Sequence, residues 1–353
     1  MDASVTESSA VPVWSARSGG PYVAAVVGAG SWGTAMARHL ALRGLHTTLL
    51  ARRPEQADTM RADGRNPDYL RGLPLPPSLA YAVYADHDFS SVDLVIMAVP
   101  SKGYAGVVDL LATRLPLELG VLSLTKGVEP GSLRRFSQVI ADSWGHLRPR
   151  IAVLAGPNHA EEVSQDQPAA TVIASTDEGF ATALQSLLCN ENFRAYRNAD
   201  LVGVELAAAT KNVIALATGM GDGVGYGDNV RAALITRGLA EMTRLGLALG
   251  AQPLTFAGLA GLGDLVGTCT SRHSRNRRAG ELLARGLPPD RVEQEMGMVA
   301  EGLTAAPAIL KLADGLGVDM PITENVVAVI QGAKEIVASV RDLMLREPRA
   351  EHH

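Results

Sequence analysis

Between residues 22 and 174 the chain repeatedly places a short apolar segment before a stretch of helical length, and this alternation restricts the folds available to it. The apolar segments are 23–27, 47–50, 93–98, 120–124, 151–154 and 170–173. Most are apolar at every position instead of at every second one, which is typical of strands buried on both faces of a sheet. Strands of this kind separated by helices predict an α/β fold with a doubly wound parallel sheet.

A glycine motif follows the first of these strands. Gly28, Gly30 and Gly33 lie between that strand and a predicted helix, within the sequence GAGSWG. The first glycine permits a tight turn, the second lets the backbone approach a pyrophosphate, and the third lets helix and strand pack closely. We therefore predict a Rossmann-type domain that binds a dinucleotide. A structural turn of chance composition is the alternative.

Two arginines indicate which dinucleotide is accepted. Arg52 and Arg53 follow the second strand, about 20 residues beyond the glycine loop, where NAD-selective sites usually carry an acidic residue. Guanidinium groups offer forked donors to the oxygens of a 2′-phosphate. NADP should therefore be accepted. A solvated pair at a strand end is the alternative, and the arginines alone do not exclude NAD.

The second half of the chain has a helical pattern. Long Ala- and Leu-rich segments at 229–249, 277–285, 304–316 and 322–329 predict helices. We predict a disordered tail at 1–21, a Rossmann-type NAD(P)-binding domain at 22–203, a second, all-helical substrate-binding domain at 204–345 and a tail at 346–353. The glycine-rich segment 219–227 is interpreted as a tight connection between helices, with Asp228 or Asn229 capping the next helix. A mobile lid is the alternative.

Two lysines occupy positions that favour a chemical role. Lys126 follows the strand at 120–124, at the edge where open parallel sheets bind ligands. Lys211 lies beside Asn212 in a run of small apolar residues, so it is predicted to be buried and to need a partner or a function. We interpret Lys211 as a proton donor. A surface position for Lys126 and a snorkelling side chain for Lys211 are the alternatives.

Polar residues further along the chain predict an anion site. Asp264 lies in a glycine-rich turn, and Thr268 follows it by four positions. Residues 271–278 then combine four arginines with serine and asparagine, a set that suits a phosphorylated small molecule. A solvated helix face is the alternative. His273 has no histidine partner at metal-ligand spacing, and we expect no metal.

Composition excludes several other classes of protein. The 32 Lys+Arg against 37 Asp+Glu give a net charge of −5, which argues against a general nucleic-acid binder. Cys189 and Cys269 have neither metal-ligand spacing nor a disulfide framework, and they favour a reducing cytoplasm. The apolar stretch 201–220 contains Glu205, Lys211 and Asn212, which argues against a membrane span.

On these motifs the chain resembles the bacterial NAD(P)-dependent glycerol-3-phosphate dehydrogenases, from about Val23 to Leu345. The shared motifs are GAGSWGTA at 28–35, TKG at 125–127, AGP at 155–157, TKNV at 210–213, GLGDL at 261–265 and SRNR at 274–277. The resemblance implies reversible reduction of dihydroxyacetone phosphate to sn-glycerol 3-phosphate by NADPH or NADH. This reaction supplies glycerophospholipid biosynthesis.

The resemblance also implies roles for individual residues. The cofactor contacts beyond the three glycines would be Ser31, Trp32, Arg52, Arg53, Lys126, Ala160, Arg275, Val299 and Glu301. The substrate contacts would be Lys126, Gly156, Asn158, Lys211, Asp264, Ser274, Arg275 and Asn276, with Thr268 added from its spacing to Asp264. Lys211 would accept the proton in the oxidative direction, assisted by Lys126, Asp264 and Asn212. The pair Asn158–His159 departs from the small hydroxyl and bulky apolar residues frequent in relatives, and Asn158 is expected to donate to a substrate oxygen.

Two other functions are compatible with parts of this pattern. A related dehydrogenase acting on a non-phosphorylated hydroxy acid would keep both domains but would not need the 274–278 cluster. A non-catalytic dinucleotide sensor would need no buried proton donor. The apolar helices of the second domain are compatible with the homodimer that we expect, and equally with a single internal core.

Overall fold

The structure is a computed structural model that describes residues 22–347 and residue 350. The predicted tail at 1–21 lies outside the described residues, as do positions 348, 349 and 351–353 of the predicted C-terminal tail. The chain forms an eight-stranded sheet followed by a helical part.

The sheet has the order β3-β2-β1-β4-β5-β6-β7-β8. Its strands are β1 Val23–Val27, β2 His46–Ala51, β3 Ala80–Val83, β4 Leu94–Met97, β5 Gly120–Ser123, β6 Arg150–Ala155, β7 Ala169–Ala174 and β8 Phe193–Asn198. The helices between them are α1 Ser31–Leu42, α2 Pro54–Asp63, α3 Tyr104–Leu111, α4 Phe136–Trp144, α5 Ala160–Val163 and α6 Glu178–Leu188. Strand order reverses beside β1, which opens a crevice at the carboxyl ends of β1 and β4.

The predicted α/β class, with a doubly wound sheet and a helical second part, is confirmed, and the sheet differs in three details. β3 and β8 were not predicted as strands. The edge strand β8 alternates buried and exposed positions at its start, and β3 is short and mostly half-exposed, so neither has the apolar run of a central strand. β7 runs antiparallel to β6, whereas every other pair is parallel.

The helical part is built around one long buried helix. Its elements are α7 Leu201–Gly223, α8 Asp228–Ala248, α9 Pro253–Ala257, α10 Asp264–Thr270, α11 Arg275–Ala284, α12 Pro289–Met296, α13 Glu301–Gly315, α14 Pro321–Ile330 and α15 Ile336–Met344. Every residue of α7 from Gly203 to Gly221 is buried. Asp200 caps the helix by accepting from the Gly203 N–H at 2.8 Å, and its second oxygen accepts from the Thr255 hydroxyl at 2.7 Å.

Helix α7 is the one element of residues 22–347 that is long and apolar enough to cross a membrane. In its most apolar window, 89% of the residues are buried inside the protein. Its apolar surface is therefore used to pack α8, α10, α11 and α13 and the sheet, as expected for the core helix of a folded domain.

Glycines let α7 and α11 approach closely. A Cβ at Gly219 would lie 1.8 Å from the Arg277 carbonyl oxygen, and one at Gly280 would lie 2.2 Å from the Leu216 carbonyl oxygen. The glycines from 219 to 223 thus belong to the end of α7 instead of to a connection. The expectation that Asp228 or Asn229 caps the next helix is wrong, because Gly227 is the N-cap of α8 and no side chain caps it.

A buried carboxylate joins α7 to α4. Glu205 accepts hydrogen bonds from Arg135 Nη1 at 2.6 Å, from the Ser137 N–H at 2.8 Å and from the Ser137 hydroxyl at 2.5 Å. Burial raises the pKa of Glu205, and Arg135 opposes that effect. These bonds tie α7 to the N-terminal end of α4, which covers the sheet.

We expect Gly280→Ala to destabilise the protein by about 2 kcal/mol, because the added methyl group must displace the backbone of α7. Gly145→Ala is the matched control: Gly145 has helical backbone angles and no atom within 4 Å of an added Cβ. Urea unfolding followed by circular dichroism measures both variants. Equal midpoints for the two would contradict the packing argument.

Candidate active site

The crevice at the carboxyl ends of the strands continues into one cavity of about 820 Å³ between the sheet and the helical part. The residues predicted for the site line this cavity, with the exceptions of Gly33 and Gly156. Those two glycines lie beneath the wall, where a Cβ at Gly33 would be 1.9 Å from the Gly28 carbonyl oxygen and one at Gly156 would be 3.0 Å from Thr171 Cα. Both glycines therefore shape the wall without forming its surface.

The glycine loop fits a dinucleotide. Gly28 has a φ of +112°, and a Cβ there would lie 2.5 Å from the Ala98 carbonyl oxygen. Gly30 has no atom within 4 Å of an added Cβ, so the backbone is open to an approaching group at the start of α1. Trp32 Nε1 lies in the cavity wall, buried, with no hydrogen-bond partner among the described residues. A helix N-terminus and an unused N–H donor are what a pyrophosphate requires.

The two arginines after β2 are placed differently. Both are exposed at the cavity edge. Arg53 Nη2 is 2.5 Å from Asp68 Oδ2, whereas Arg52 forms no ion pair with residues 22–347. Arg52 is therefore the more available of the two for a ligand phosphate.

One carboxylate, two ammonium groups and a hydroxyl form the polar centre of the cavity. Lys211, in the middle of α7, donates to Asp264 Oδ1 and to Thr268 Oγ1, the latter at 2.7 Å. Lys126, just after β5, donates to Asp264 Oδ2 at 3.0 Å. Asp264 and Thr268 are one turn apart on α10, so they present their side chains on the same face. Three segments distant in sequence thus meet at Asp264.

Burial sets the ionisation of this centre. Lys211 is 4% exposed, and its desolvation lowers its pKa to about 7; Asp264 opposes the shift and Lys126 adds to it. Burial raises the pKa of Asp264, but Lys126 and Lys211 outweigh it and hold that pKa below its usual range. Asp264 is thus ionised at neutral pH while Lys211 can be protonated or neutral, as a proton-transfer group requires.

Two asparagines form a chain of hydrogen bonds beside Lys211. Asn276 Nδ2 donates to Asn212 Oδ1 at 2.9 Å, and Asn276 Oδ1 accepts from the Gly302 N–H at 2.8 Å. Asn212 Nδ2 is 3.5 Å from Glu301 Oε2. Burial raises the pKa of Glu301, and Arg275 opposes that effect. Asn212 Nδ2 is also 3.5 Å from the Ala208 carbonyl oxygen, so both of its N–H groups have acceptors, whereas Asn276 keeps one N–H free.

The arginine-rich segment contributes one guanidinium to the cavity. Among its four arginines only Arg275 lines the wall. Arg277 instead pairs with Asp222 at 2.7 Å and with Glu281 at 2.8 Å, and Ser274 Oγ caps α11 by accepting from the Arg277 N–H at 3.2 Å. The cluster thus places one guanidinium in the cavity wall and uses another in the ion pairs of a helix.

The side chain of Asn158 has one bonded and one unbonded end. Its Nδ2 donates one of its two N–H groups to Thr171 Oγ1 at 2.7 Å. Its Oδ1 is buried and has no hydrogen-bond partner in the described part of the chain. Asn158 therefore offers an acceptor oxygen besides the second N–H of its Nδ2, and its donation to a substrate oxygen stays a prediction.

Two histidines in the cavity wall were not predicted for the site. The rings of His159 and His273 are 6.3 Å apart between centroids. Burial lowers the pKa of His159, and Lys211 and Lys126 lower it further. His159 follows the strand-end turn after β6, a position that could have indicated it, whereas nothing in the sequence pattern distinguishes His273.

Comparisons with known proteins agree along nearly the whole chain. Residues 23–181 match the family described as NAD-dependent glycerol-3-phosphate dehydrogenase N-terminus, and residues 200–341 match the corresponding C-terminus family. A glycerol-3-phosphate dehydrogenase (NAD(P)+) of Parafrankia sp. is 48% identical over 93% of this chain and 98% of its own length. One of Salinibacter ruber is 46% identical over 92% and 95%. The crystal structure of glycerol-3-phosphate dehydrogenase from Coxiella burnetii has a TM-score of 0.89 at 36% identity, covering 92% of this chain and 99% of that one.

We expect Lys211 to titrate near pH 7, because burial lowers its pKa. The chain has five lysines, at 102, 126, 211, 311 and 334, so the resonances of ¹³C-labelled lysine side chains can be assigned by single substitutions. Asp264→Asn should lower the pKa of Lys211 further, because it removes the opposing charge. Exposed Lys311 is the internal control. Titration of Lys211 near the unperturbed lysine value of about 10.4 would contradict the burial argument.

Proposed function

The chain belongs to the NAD-dependent glycerol-3-phosphate dehydrogenase family, and from this we propose that it reversibly reduces dihydroxyacetone phosphate to sn-glycerol 3-phosphate with NADPH or NADH. It is an oxidoreductase of the NAD(P)-dependent kind. Its product would enter glycerophospholipid synthesis, as the family assignment indicates.

One observation carries the proposal: a buried lysine with a pKa lowered to about 7 shares a cavity with a glycine loop that fits a pyrophosphate. Hydride transfer to a ketone requires a nicotinamide on one side of the carbonyl and a proton donor at its oxygen. The cavity supplies a place for each, and Arg275 in the same wall suits the phosphate of the substrate.

In the reductive direction, Lys211 would give its proton to the oxygen that develops negative charge. Asp264 holds the Lys211 ammonium by a hydrogen bond, and Thr268 accepts a second one, so the third N–H is left for the substrate. Lys126 adds positive charge at the same carboxylate and favours an anionic ligand. The nicotinamide, when bound, supplies the hydride. In the oxidative direction neutral Lys211 would take the proton back.

Binding energy from the phosphate would position the ketone. Arg275 and Lys126 offer positive charge to it, and Ser274 and Asn276 lie beside Arg275 in the same wall. Contacts remote from the reacting carbon orient the carbonyl for transfer without taking part in the chemistry. A dehydrogenase acting on a non-phosphorylated hydroxy acid would not need Arg275 to bind a phosphate. A non-catalytic dinucleotide sensor would not need Lys211 as a proton donor.

Three finer features belong to the proposal. NADP is accepted through Arg52 and Arg53. A homodimer is supported by the exposed apolar side chains of the helical part, such as Leu254 at 83% exposure. Location in the cytoplasm is supported by the two free thiols of Cys189 and Cys269.

We expect Lys211→Ala to lower kcat for dihydroxyacetone phosphate about 10²- to 10⁴-fold, the usual contribution of a general acid. In the parent enzyme the rate of reduction should fall as pH rises through about 7, because the ammonium form is lost, and the rate of oxidation should rise. NADPH absorbance measures both rates. Lys311→Ala, at an exposed position, is the control. Full activity of folded Lys211→Ala would refute the assigned role.

We expect Arg52→Ala to raise KM for NADPH about tenfold and to change KM for NADH little, because only NADPH carries a 2′-phosphate. Arg53→Ala should have a smaller effect, since Arg53 is shared with Asp68. Initial rates at varied concentrations of NADPH and of NADH give the two KM values for each variant. An equal change for both cofactors would show that Arg52 does not recognise the 2′-phosphate.

A further inference from the structure

The orientation of the Asn158 amide is set by a buried threonine of the neighbouring strand. Thr171, fully buried in β7, donates its hydroxyl proton to the Ala155 carbonyl oxygen at 3.0 Å. A hydroxyl has one proton to donate, so Thr171 Oγ1 faces Asn158 with a lone pair. That lone pair accepts from Asn158 Nδ2 at 2.7 Å. The amide is thus held with its nitrogen on Thr171 and its oxygen without a bond to Thr171.

The amide oxygen of Asn158 has no hydrogen-bond donor of its own among residues 22–347. Asn158 lines the cavity, and its Oδ1 is buried. A buried acceptor without a donor costs free energy, which an incoming O–H or N–H group recovers. The N–H of Asn158 is held in the turn by the Gly156 carbonyl oxygen at 2.8 Å, so the backbone is fixed as well.

Asn158 lies at the reacting end of the cavity. The preceding Pro157 packs against α10, where a Cβ at Gly263 would be 3.7 Å from Pro157 Cδ and one at Gly267 would be 3.6 Å from Pro157 Cβ. Asp264 and Thr268, which hold Lys211, come from this same helix. The turn and the proton donor are therefore packed against a common element.

We propose that Thr171 is a positioning residue that fixes the Asn158 amide as an acceptor, and that Asn158 Oδ1 accepts a hydrogen bond from the free primary hydroxyl of the substrate. The inference rests on the proposed function. In a three-carbon ketone phosphate, Lys211 takes the ketone oxygen and Arg275 the phosphate, so the hydroxyl is the polar group that remains. An acceptor at its place pairs with a hydroxyl and repels a carboxylate.

Three substrates test this polarity. Dihydroxyacetone phosphate carries the hydroxyl, hydroxyacetone phosphate has a methyl group in its place, and 3-phosphohydroxypyruvate has a carboxylate. The parent enzyme should prefer the first over the second by about tenfold or more in kcat/KM. The third should inhibit only weakly. The proposed function is tested by activity on dihydroxyacetone phosphate, whatever the other two compounds do. The inference is tested by the comparison among the three compounds. The two can therefore fail separately.

Thr171→Val removes the hydroxyl with little change of shape and frees the amide to rotate. We expect kcat/KM for dihydroxyacetone phosphate to fall severalfold, mainly through KM, while the rate with hydroxyacetone phosphate stays near that of the parent. Inhibition by 3-phosphohydroxypyruvate should strengthen severalfold, because an amide N–H can now face its carboxylate. Thr171→Ser should restore the parent pattern, since the hydroxyl is kept.

Two further variants complete the design. Asn158→Ala should abolish the preference for the hydroxyl. Thr47→Val is the matched control, because Thr47 is a buried strand threonine that bonds to the Leu45 carbonyl oxygen outside the cavity. Circular dichroism confirms that each variant is folded.

Specific outcomes would overturn the inference. An unchanged preference in Asn158→Ala, or equal use of the two ketones by the parent enzyme, would show that Asn158 does not contact the hydroxyl. If Thr171→Val behaved like Thr47→Val, Thr171 would not position the amide. If the effect of Asn158→Ala vanished with a cofactor whose carboxamide is replaced by an acetyl group, the donor would be the nicotinamide instead of the substrate.

Discussion

The arrangement of Asp264 between Lys126 and Lys211 is the interaction on which the site depends. When both lysines are protonated, a single buried carboxylate cannot neutralise two ammonium groups, so the centre then carries excess positive charge in a place with little water. Burial favours loss of a proton from Lys211, and Asp264 limits that loss. An anionic ligand would complete the balance of charge. The positive charge of Lys126, which adds to the effect of burial on Lys211, therefore also attracts a phosphorylated substrate.

Holding three charged groups together requires rigid supports, and close backbone packing supplies them. Helix α7 is buried along nearly its whole length, and α11 lies against it at glycine positions where no side chain would fit. Asp200 fixes its start. Lys211 therefore has no freedom to reach water by moving its helix, and its altered pKa follows from packing as much as from its neighbours.

The sequence was sufficient for the central strands, the helical second part and most of the cavity wall, because apolar runs and glycine spacing reflect burial and backbone approach directly. It was not sufficient for β3 and β8, whose edge positions need no apolar run, or for the reversed direction of β7, which depends on the path of the connection. The pairing of Arg277 with Asp222 could not be predicted either, since only the fold brings together these two residues 55 positions apart. The polarity of Asn158 likewise depends on Thr171 in another strand.

Glu205 joins the helical part of the chain to the layer that contains the sheet. Helix α7 carries this carboxylate toward Arg135 and Ser137 on α4, and its Val204 and Ala208 pack with Val153 of the sheet. The helix that delivers Lys211 is thus part of the nucleotide-binding layer as much as of the helical layer. The boundary between the two halves in sequence is consequently crossed by the contacts that hold α7, and with it Lys211, against the sheet and α4, so we expect the two halves to unfold together. On heating, the protein would then lose cofactor binding and catalysis in one transition. No inactive form that still binds the cofactor would accumulate.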